Sequence, residues 1–157
     1  MTEAPAEAKT LVAGLGNPLM TDEGVGPLLV ERLREKVGEA ADCDFLDLGV
    51  AGLTVLHAMR GYERVIFIDC AFMDEAPGTL RRFTPDEAHS RKERFRMTLH
   101  GQDLMETLEL ARELGELPGS VVLFGIQPQS TEPGQELSPA LACRVDEYVD
   151  AILRELA

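Results

Sequence analysis

Short apolar runs alternate with amphipathic stretches along the chain, and each run has the length and composition of a buried strand. The clearest run is Arg64 to Asp69, whose continuous β-branched and aromatic residues indicate burial on both faces, as in a parallel sheet. Four further strands are predicted at Thr10 to Gly14, Cys43 to Leu48, Thr79 to Thr84 and Ser120 to Ile126. The run from Thr79 is less apolar and follows Pro77-Gly78, so we expect it at an edge of the sheet.

Apolar residues at helical spacing predict four helices between these strands. They are expected at Gly24 to Val37, Gly52 to Met59, Gly101 to Leu114 and Ser138 to Leu156. The last helix is expected to start with Ser138 as its N-cap and Pro139 at its first position. The charged stretch from Pro85 to Thr98 is predicted to be a loop or a ragged helix. This alternation of strand and helix is typical of an α/β fold with a mostly parallel sheet.

The length and composition of the chain suit one folded domain. The chain has 157 residues, of which 45% are hydrophobic, enough for a single core. We expect the domain to span residues 9–157 and the polar, acidic residues 1–8 to be a flexible N-terminal leader. That leader has no basic segment followed by an apolar one, so we do not expect it to be a signal peptide.

The net charge limits the classes of partner, and the cysteines indicate the redox conditions in which the protein works. A formal net charge of -13 repels phosphate backbones and anionic lipid headgroups, so neither nucleic acid nor membrane is expected as a partner. The three cysteines, Cys43, Cys70 and Cys143, have no paired spacing. This argues against a disulfide framework or a structural zinc site and favours a reducing, cytoplasmic location.

Three polar residues lie next to predicted strand ends or helix starts. Glu23 follows the first strand within a glycine-rich segment, Asp69 ends the third strand, and His100 precedes the helix that begins near Gly101. Ligands bind at the carboxyl ends of the strands in such sheets, so all three side chains can meet at one edge. Two carboxylates and one imidazole are a plausible set of ligands for a borderline divalent metal with open coordination positions.

Each residue also has a simpler explanation on its own. An acid at a helix start, such as Glu23, is commonly a helix-dipole partner, and Asp22 is commonly an N-cap. A strand-terminal acid such as Asp69 often caps the following turn, and a lone histidine such as His100 is more often a surface or capping residue. The glycine-rich segment can be no more than a tight strand-to-helix turn. Cys70, beside Asp69, is more typical of a buried small hydrophobic residue than of a nucleophile.

Several motifs together resemble one known family. Gly14-Leu15-Gly16-Asn17-Pro18, followed by Asp22-Glu23-Gly24 and Gly26, is similar to the opening motif of the hydrogenase maturation proteases, peptidase family M52. Further similar blocks are Asp47 to Gly52, Ile68-Asp69-Cys70-Ala71, Pro77-Gly78, Leu99-His100 and Phe124 to Pro128. The resemblance covers roughly residues 10 to 156. Two positions depart from it, because Val50 replaces a small hydroxyl residue and Cys70 stands where alanine is common.

The resemblance implies a fold, a substrate and a site. The fold is a single domain with a twisted, mostly parallel five-stranded sheet and helices on both faces, of the phosphorylase/hydrolase-like type. The activity is that of a hydrolase, an aspartic-type or metal-dependent endopeptidase. It removes the C-terminal extension of the [NiFe]-hydrogenase large-subunit precursor after nickel insertion. Positions matching Glu23, Asp69 and His100 bind the metal, which implies nickel supplied by the substrate and no organic cofactor.

The expected mechanism follows from these residues. Glu23, Asp69 and His100 would bind the precursor's nickel and act as the catalytic set, with the metal polarising the scissile carbonyl or activating a water. Asp22 is expected to orient the loop. The alternative is a metal-dependent, chaperone-like module that binds the large subunit without cleaving it. Peptidyl-tRNA hydrolases share the GLGNP turn, but they carry a catalytic histidine soon after it, whereas the first histidine here is His57.

Overall fold

The computed structural model describes residues 10–38, 42–50, 52–90, 96–97 and 101–157, so the predicted leader lies outside the described residues. Strands and helices follow one another in the predicted order. The strands are β1 (Thr10–Leu15), β2 (Cys43–Gly49), β3 (Arg64–Phe72), β4 (Leu80–Phe83), β5 (Arg96–Met97) and β6 (Ser120–Ile126). The helices are α1 (Val25–Val37), α2 (Gly52–Met59), α3 (Pro85–Ser90), α4 (Gly101–Glu113), α5 (Pro139–Ala142) and α6 (Val145–Leu156).

The central sheet has the strand order β2-β1-β3-β6-β4. The first four strands run parallel to one another, and β4 runs antiparallel to β6 at the edge. The two-residue strand β5 pairs antiparallel with the end of β3, where Met97 lies opposite Ala71. The predicted mostly parallel five-stranded sheet, with its fourth strand at an edge, is therefore confirmed.

The side chains of β3 alternate between two hydrophobic cores. Val65 and Phe67 belong to the core covered by α2 and α4, whereas Ile66 and Ile68 belong to the core covered by α1 and α6. All four are completely buried, and burial of each such large side chain contributes about 1.5–3 kcal/mol. By the same alternation, Asp69 lies on the face covered by α2 and α4. Helices therefore cover both faces of the sheet, as expected.

The prediction that Asp69 ends the third strand is wrong. The strand continues to Phe72 and keeps its pairing with β6 beyond Asp69 before it meets β5. Cys70 and Ala71 are small, apolar and completely buried, so the chain can extend between the two cores without exposing a hydrophobic side chain. Asp69 is consequently an acid within a buried strand rather than a cap on the turn that follows it.

The single C-terminal helix predicted from Ser138 to Leu156 is also wrong, because α5 and α6 are separate helices. The chain turns between them at Arg144, which has φ -114° and ψ 7°. Its guanidinium Nη1 donates to the carbonyl oxygen of Gly78 at 3.3 Å, and the Tyr148 hydroxyl donates to the same oxygen at 2.6 Å. These two bonds hold the start of α6 against the turn that leads into β4, which accounts for the break.

Two smaller differences concern the start of the first helix and the charged stretch after β4. The first helix begins at Val25, after a single 3-10 turn at Thr21–Gly24, rather than at Gly24. The charged stretch predicted as a loop or ragged helix contains the short helix α3 and the strand β5. Among the described residues, none of the helices is both long and apolar enough to cross a membrane.

Candidate functional site

The glycine-rich segment after β1 is a tight strand-to-helix turn. A Cβ atom added to Gly26 would lie 2.3 Å from the carbonyl oxygen of Leu15 and 2.6 Å from that of Ile68. The start of α1 can therefore approach β1 and β3 this closely only because Gly26 has no side chain. The same packing brings the 3-10 turn Thr21–Gly24, here called the Glu23 turn, to the carboxyl edge of the sheet.

Glu23 and Asp69 approach a common point at this edge. A Cβ atom added to Gly16 would lie 1.9 Å from the Glu23 carbonyl oxygen and 3.5 Å from Oδ1 of Asp69. Only 4% of Glu23 and 2% of Asp69 are exposed, and the backbone N–H of Cys70 donates to Asp69 Oδ1 at 2.7 Å. The structure thus brings two of the three predicted site residues together, from turns and strands that are remote in sequence.

The pKa of the Cys70 thiol is affected by the acids at this edge. Burial raises its pKa well above the usual range, and the negative charges of Asp69, Asp22 and Glu23 raise it further. The raised pKa keeps the thiol protonated, which makes Cys70 a poor nucleophile. Its side chain belongs to the core beneath α1 and α6, which confirms the prediction of a buried small hydrophobic residue.

Asp22 does not cap a helix. Its side chain is completely buried and accepts four hydrogen bonds from the loop between β6 and α5, residues 127–138, which we call the β6–α5 loop. Oδ2 accepts from the backbone N–H of Gln129 at 2.8 Å and of Ser130 at 2.9 Å. The remaining two bonds come from Ser138, whose N–H lies 2.7 Å from Oδ1 and whose hydroxyl lies 2.8 Å from Oδ2.

Ser138 occupies the N-cap position of α5, but no capping hydrogen bond is made by its side chain. The hydroxyl donates to Asp22 instead, so the local preference of serine for a cap gives way to a buried carboxylate across the molecule. A local sequence pattern cannot reveal this partner, because 116 residues separate Ser138 from Asp22.

His100, the third predicted site residue, lies outside the described residues. The described segments that flank it are residues 96–97, where Met97 pairs with Ala71, two positions beyond Asp69, and α4, which begins at Gly101. Within the ranges that the structure describes, no three His, Cys, Asp or Glu side chains form a group that could hold a metal ion. Glu23 and Asp69 are the two predicted site residues that the described ranges contain.

Gln127 is a residue of this edge that was not predicted as functional. Its side-chain carbonyl accepts from the backbone N–H of Met73 at 2.7 Å and of Glu75 at 3.4 Å. Its backbone exchanges hydrogen bonds with Gly78 and Thr79, at 2.8 and 2.9 Å. Gln127 therefore fixes the connection from β3 to β4 beside the site. The available signal was its place directly after the buried strand β6, at the same edge of the sheet.

The Glu23 turn also forms one wall of an open groove of about 640 Å³. Thr21 and Gly24 line it from the turn, and Gln135 and Leu137 line it from the β6–α5 loop. Both segments that Asp22 joins are thus accessible at a concave surface.

Comparisons with known proteins agree on one family. The family model for hydrogenase maturation proteases matches residues 27–155. The hydrogenase expression/formation protein HupD of Rhodobacter capsulatus is 33% identical over 149 residues, which are 94% of this chain and 71% of that protein. The hydrogenase 2 maturation protease of Escherichia coli is 30% identical, over 94% of this chain and 90% of its own length.

A solved structure supports the same relationship. The hydrogenase maturating endopeptidase HybD from Escherichia coli superimposes with a TM-score of 0.83 at 29% identity, covering 94% of this chain and 91% of that one. The α/β fold described above, with its mostly parallel sheet and its helices on both faces, is thus similar to that of a maturating endopeptidase. This chain belongs to the hydrogenase maturation protease family.

Proposed function

We propose that this protein is the endopeptidase that removes the C-terminal extension of a nickel-loaded [NiFe]-hydrogenase large-subunit precursor, and that it docks on the substrate's nickel. The proposed ligands are Glu23, Asp69 and His100. The observation that carries the proposal is that Glu23 and Asp69, both almost completely buried, lie next to each other at the sheet edge where α/β folds bind ligands. The backbone carbonyl of Glu23 and the Asp69 carboxylate both lie beside Gly16, and both acids act on the Cys70 thiol. We propose a cytoplasmic location, where the three free cysteines would stay reduced.

The charge of the site supports a cationic substrate group. The carboxylates of Asp69, Asp22 and Glu23 all raise the pKa of one thiol, so their negative potentials overlap in a small buried volume. Such a potential disfavours an additional anion and attracts a cation. Carboxylate and imidazole donors together suit a borderline divalent ion such as nickel.

His100 is proposed as the third ligand on three grounds. It is the histidine of the family-like Leu99-His100 block, and imidazole is the commonest metal ligand among side chains. Its neighbour Met97 pairs with the segment of β3 that follows Asp69. Asp69 lies on the sheet face covered by α4, the helix that begins one residue after His100.

Nickel can act in two ways at such a site. As a recognition group, it would let the protease distinguish a loaded precursor from an empty one, because an empty precursor lacks the docking point. As a Lewis acid, it would polarise the scissile carbonyl or lower the pKa of a bound water. Both roles need the same three side chains, and both make cleavage depend on nickel loading, which distinguishes the proposal from metal-independent proteolysis.

The test uses purified precursor, either nickel-loaded or empty, mixed with wild type, His100→Ala or His57→Ala. His57 lies exposed on α2, so it controls for the loss of a histidine elsewhere. We expect wild type and His57→Ala to shorten only the loaded precursor, measured by mass spectrometry. His100→Ala should be slower by about 10²–10³-fold, the usual cost of losing a group that stabilises developing charge.

Two results would contradict the proposal. Equal cleavage of loaded and empty precursor would remove the dependence on nickel. Binding of the loaded precursor without any loss of mass would favour the alternative of a non-cleaving, chaperone-like module.

A further inference from the structure

We propose that Asp22 is a positioning residue, which sets the placement of Glu23 by fastening the Glu23 turn to the β6–α5 loop. The inference rests on the proposed function, because it assigns Asp22 a role in presenting a ligand to the substrate. Both oxygens of the Asp22 carboxylate are engaged by N–H and O–H donors from three loop residues, at distances from 2.7 to 2.9 Å. Glu23 is the next residue along the chain.

Backbone hydrogen bonds also join the Glu23 turn and the residues before it to the β6–α5 loop. The N–H of Asp22 donates to the carbonyl of Ser130 at 3.1 Å, and the N–H of Thr21 donates to that of Gly134 at 2.9 Å. The N–H of Gly134 in turn donates to Leu19 at 2.9 Å. Thr21 has a φ of 53°, a left-handed conformation that a β-branched residue rarely adopts. The turn therefore depends on tertiary hydrogen bonds for its shape.

The type of residue also fits a positioning role. A completely buried carboxylate is costly unless donors compensate for its charge, and hydrogen bonds to an ionised acceptor are stronger than neutral ones. Leu or Ala at this position would leave several loop N–H groups without an acceptor. Asp22 thus adds four side-chain hydrogen bonds to the backbone bonds that join the Glu23 turn to the β6–α5 loop.

The consequence for Glu23 follows from the tight packing around it. Its carbonyl oxygen lies where a Cβ atom on Gly16 would be, so the turn packs directly against Gly16 and even a small displacement of the turn changes where Glu23 lies at the sheet edge. A catalytic group displaced by about 1 Å can lose about 10² in rate. Asp22 should therefore affect cleavage through Glu23, and not only the stability of the fold.

A double-mutant cycle tests this coupling. The variants are Asp22→Asn, Glu23→Asp and the double variant, with Asp150→Asn on the exposed side of α6 as the matched control. Asp22→Asn retains the shape of the side chain but replaces one acceptor oxygen with a donor. We expect it to lower kcat/KM for the loaded precursor about 100-fold in the wild-type background. In the Glu23→Asp background, where the ligand is already misplaced, the further loss should be under about threefold.

A role confined to stability predicts a different result. Asp22→Asn would then lower kcat/KM by the same factor in both backgrounds, and that outcome overturns the inference. If Asp22→Asn does not fold, Ser138→Ala takes its place in the cycle, because it removes only the hydroxyl bond to Asp22. The expected loss is then about tenfold in the wild-type background and absent in the Glu23→Asp background.

Failure of the proposed function gives a separate signal. If wild type cleaves neither precursor, the proposed function fails and the positioning role fails with it. If wild type cleaves loaded and empty precursor equally, only nickel docking fails, and the coupling between Asp22 and Glu23 is read from either precursor. If wild type cleaves and the coupling is absent, the positioning role alone is wrong.

Discussion

The two ends of the sheet differ in how their charged side chains are arranged. At the amino end, the Glu155 carboxylate binds two cations, Arg64 from the start of β3 at 2.8 Å and Arg82 from β4. At the carboxyl end, the acids Asp22, Glu23 and Asp69 are buried close enough to raise the pKa of one thiol together. Opposite charges are paired at one end, and like charges are gathered at the other.

This difference separates a structural role from a functional one. Ion pairs at the amino end join the C-terminal helix to two strands and are satisfied within the chain. A cluster of acids at the carboxyl end lowers the free energy of unfolding. Such destabilising clusters occur mainly where they bind a ligand. The comparison predicts that substitutions at the carboxyl end affect activity most, and that substitutions at the amino end affect stability alone.

The largest expected effect comes from removing a carboxylate at the carboxyl end. Asp69→Asn keeps the oxygen that accepts from Cys70 but removes one negative charge and one proposed nickel ligand. We expect cleavage of the loaded precursor to fall on the order of 10³-fold. The midpoint of urea unfolding should stay the same or rise, because fewer like charges then surround one point.

The measurements for Asp69→Asn are the initial rate of precursor cleavage and the unfolding midpoint. Asp150→Asn on the surface of α6 should change neither. A variant that cleaves normally would exclude Asp69 from the site. A variant that loses activity only because it unfolds would mean that the carboxylate is structural, like those at the amino end.

The second prediction concerns Gly16, which lies beside the Glu23 turn and the Asp69 carboxylate. Gly16 has φ 129°, and a Cβ atom there would lie 1.9 Å from the Glu23 carbonyl oxygen. Gly16→Ala should therefore displace the Glu23 turn, lowering the free energy of unfolding by about 3 kcal/mol from backbone strain and overpacking combined. Cleavage should fall in step, because the turn carries a proposed ligand.

Gly115→Ala is the matched control for Gly16→Ala. Gly115 has φ 71°, but no atom in the described part of the chain lies within 4 Å of a Cβ placed there. The control should cost only the left-handed backbone conformation, about 1 kcal/mol, and should cleave normally. Equal losses of stability in the two variants would show that the contact with Glu23 is easily relieved.

The fold could be predicted because its signals are local. The run of β-branched residues along β3 and the helical spacing along α1 indicate which residues are buried, and the alternation of strands and helices then predicts a mostly parallel sheet. The carboxyl edge follows from that topology too, which is why Glu23 and Asp69 could be singled out before their packing was known.

The hydrogen bonds that shape the site could not be predicted in the same way. Local statistics assign Asp22 and Ser138 to helix caps, yet they bind each other across 116 residues. The extension of β3 beyond Asp69 depends on pairing with β6 and β5, neither of which is adjacent in sequence. Both failures arise where tertiary partners compete successfully with local preferences.

The smallest expected effect comes from breaking the ion pairs at the amino end. The hydrogen bond from Arg82 holds the pKa of Glu155 below its usual range, and the charges of Arg82 and Arg64 act in the same direction against partial burial. Because the folded-state pKa is lowered, the stabilisation is fully present above the carboxyl's ordinary pKa of about 4.3. It is lost as the pH falls through the lower folded-state value.

Glu155→Gln should therefore lower the free energy of unfolding by about 1 kcal/mol at pH 7, since Arg82 is 48% exposed and salt screens the pair. Urea unfolding of both proteins, repeated near pH 3, should show a smaller difference, and cleavage at pH 7 should be unchanged. The control Asp86→Asn breaks a pair in which the acid is 85% exposed, and it should cost less than about 0.5 kcal/mol. The contrary result is that Glu155→Gln loses as much cleavage activity as Asp69→Asn. That result would contradict the assignment of stability to the amino end and activity to the carboxyl end, because both ends of the sheet would then contribute to the chemistry.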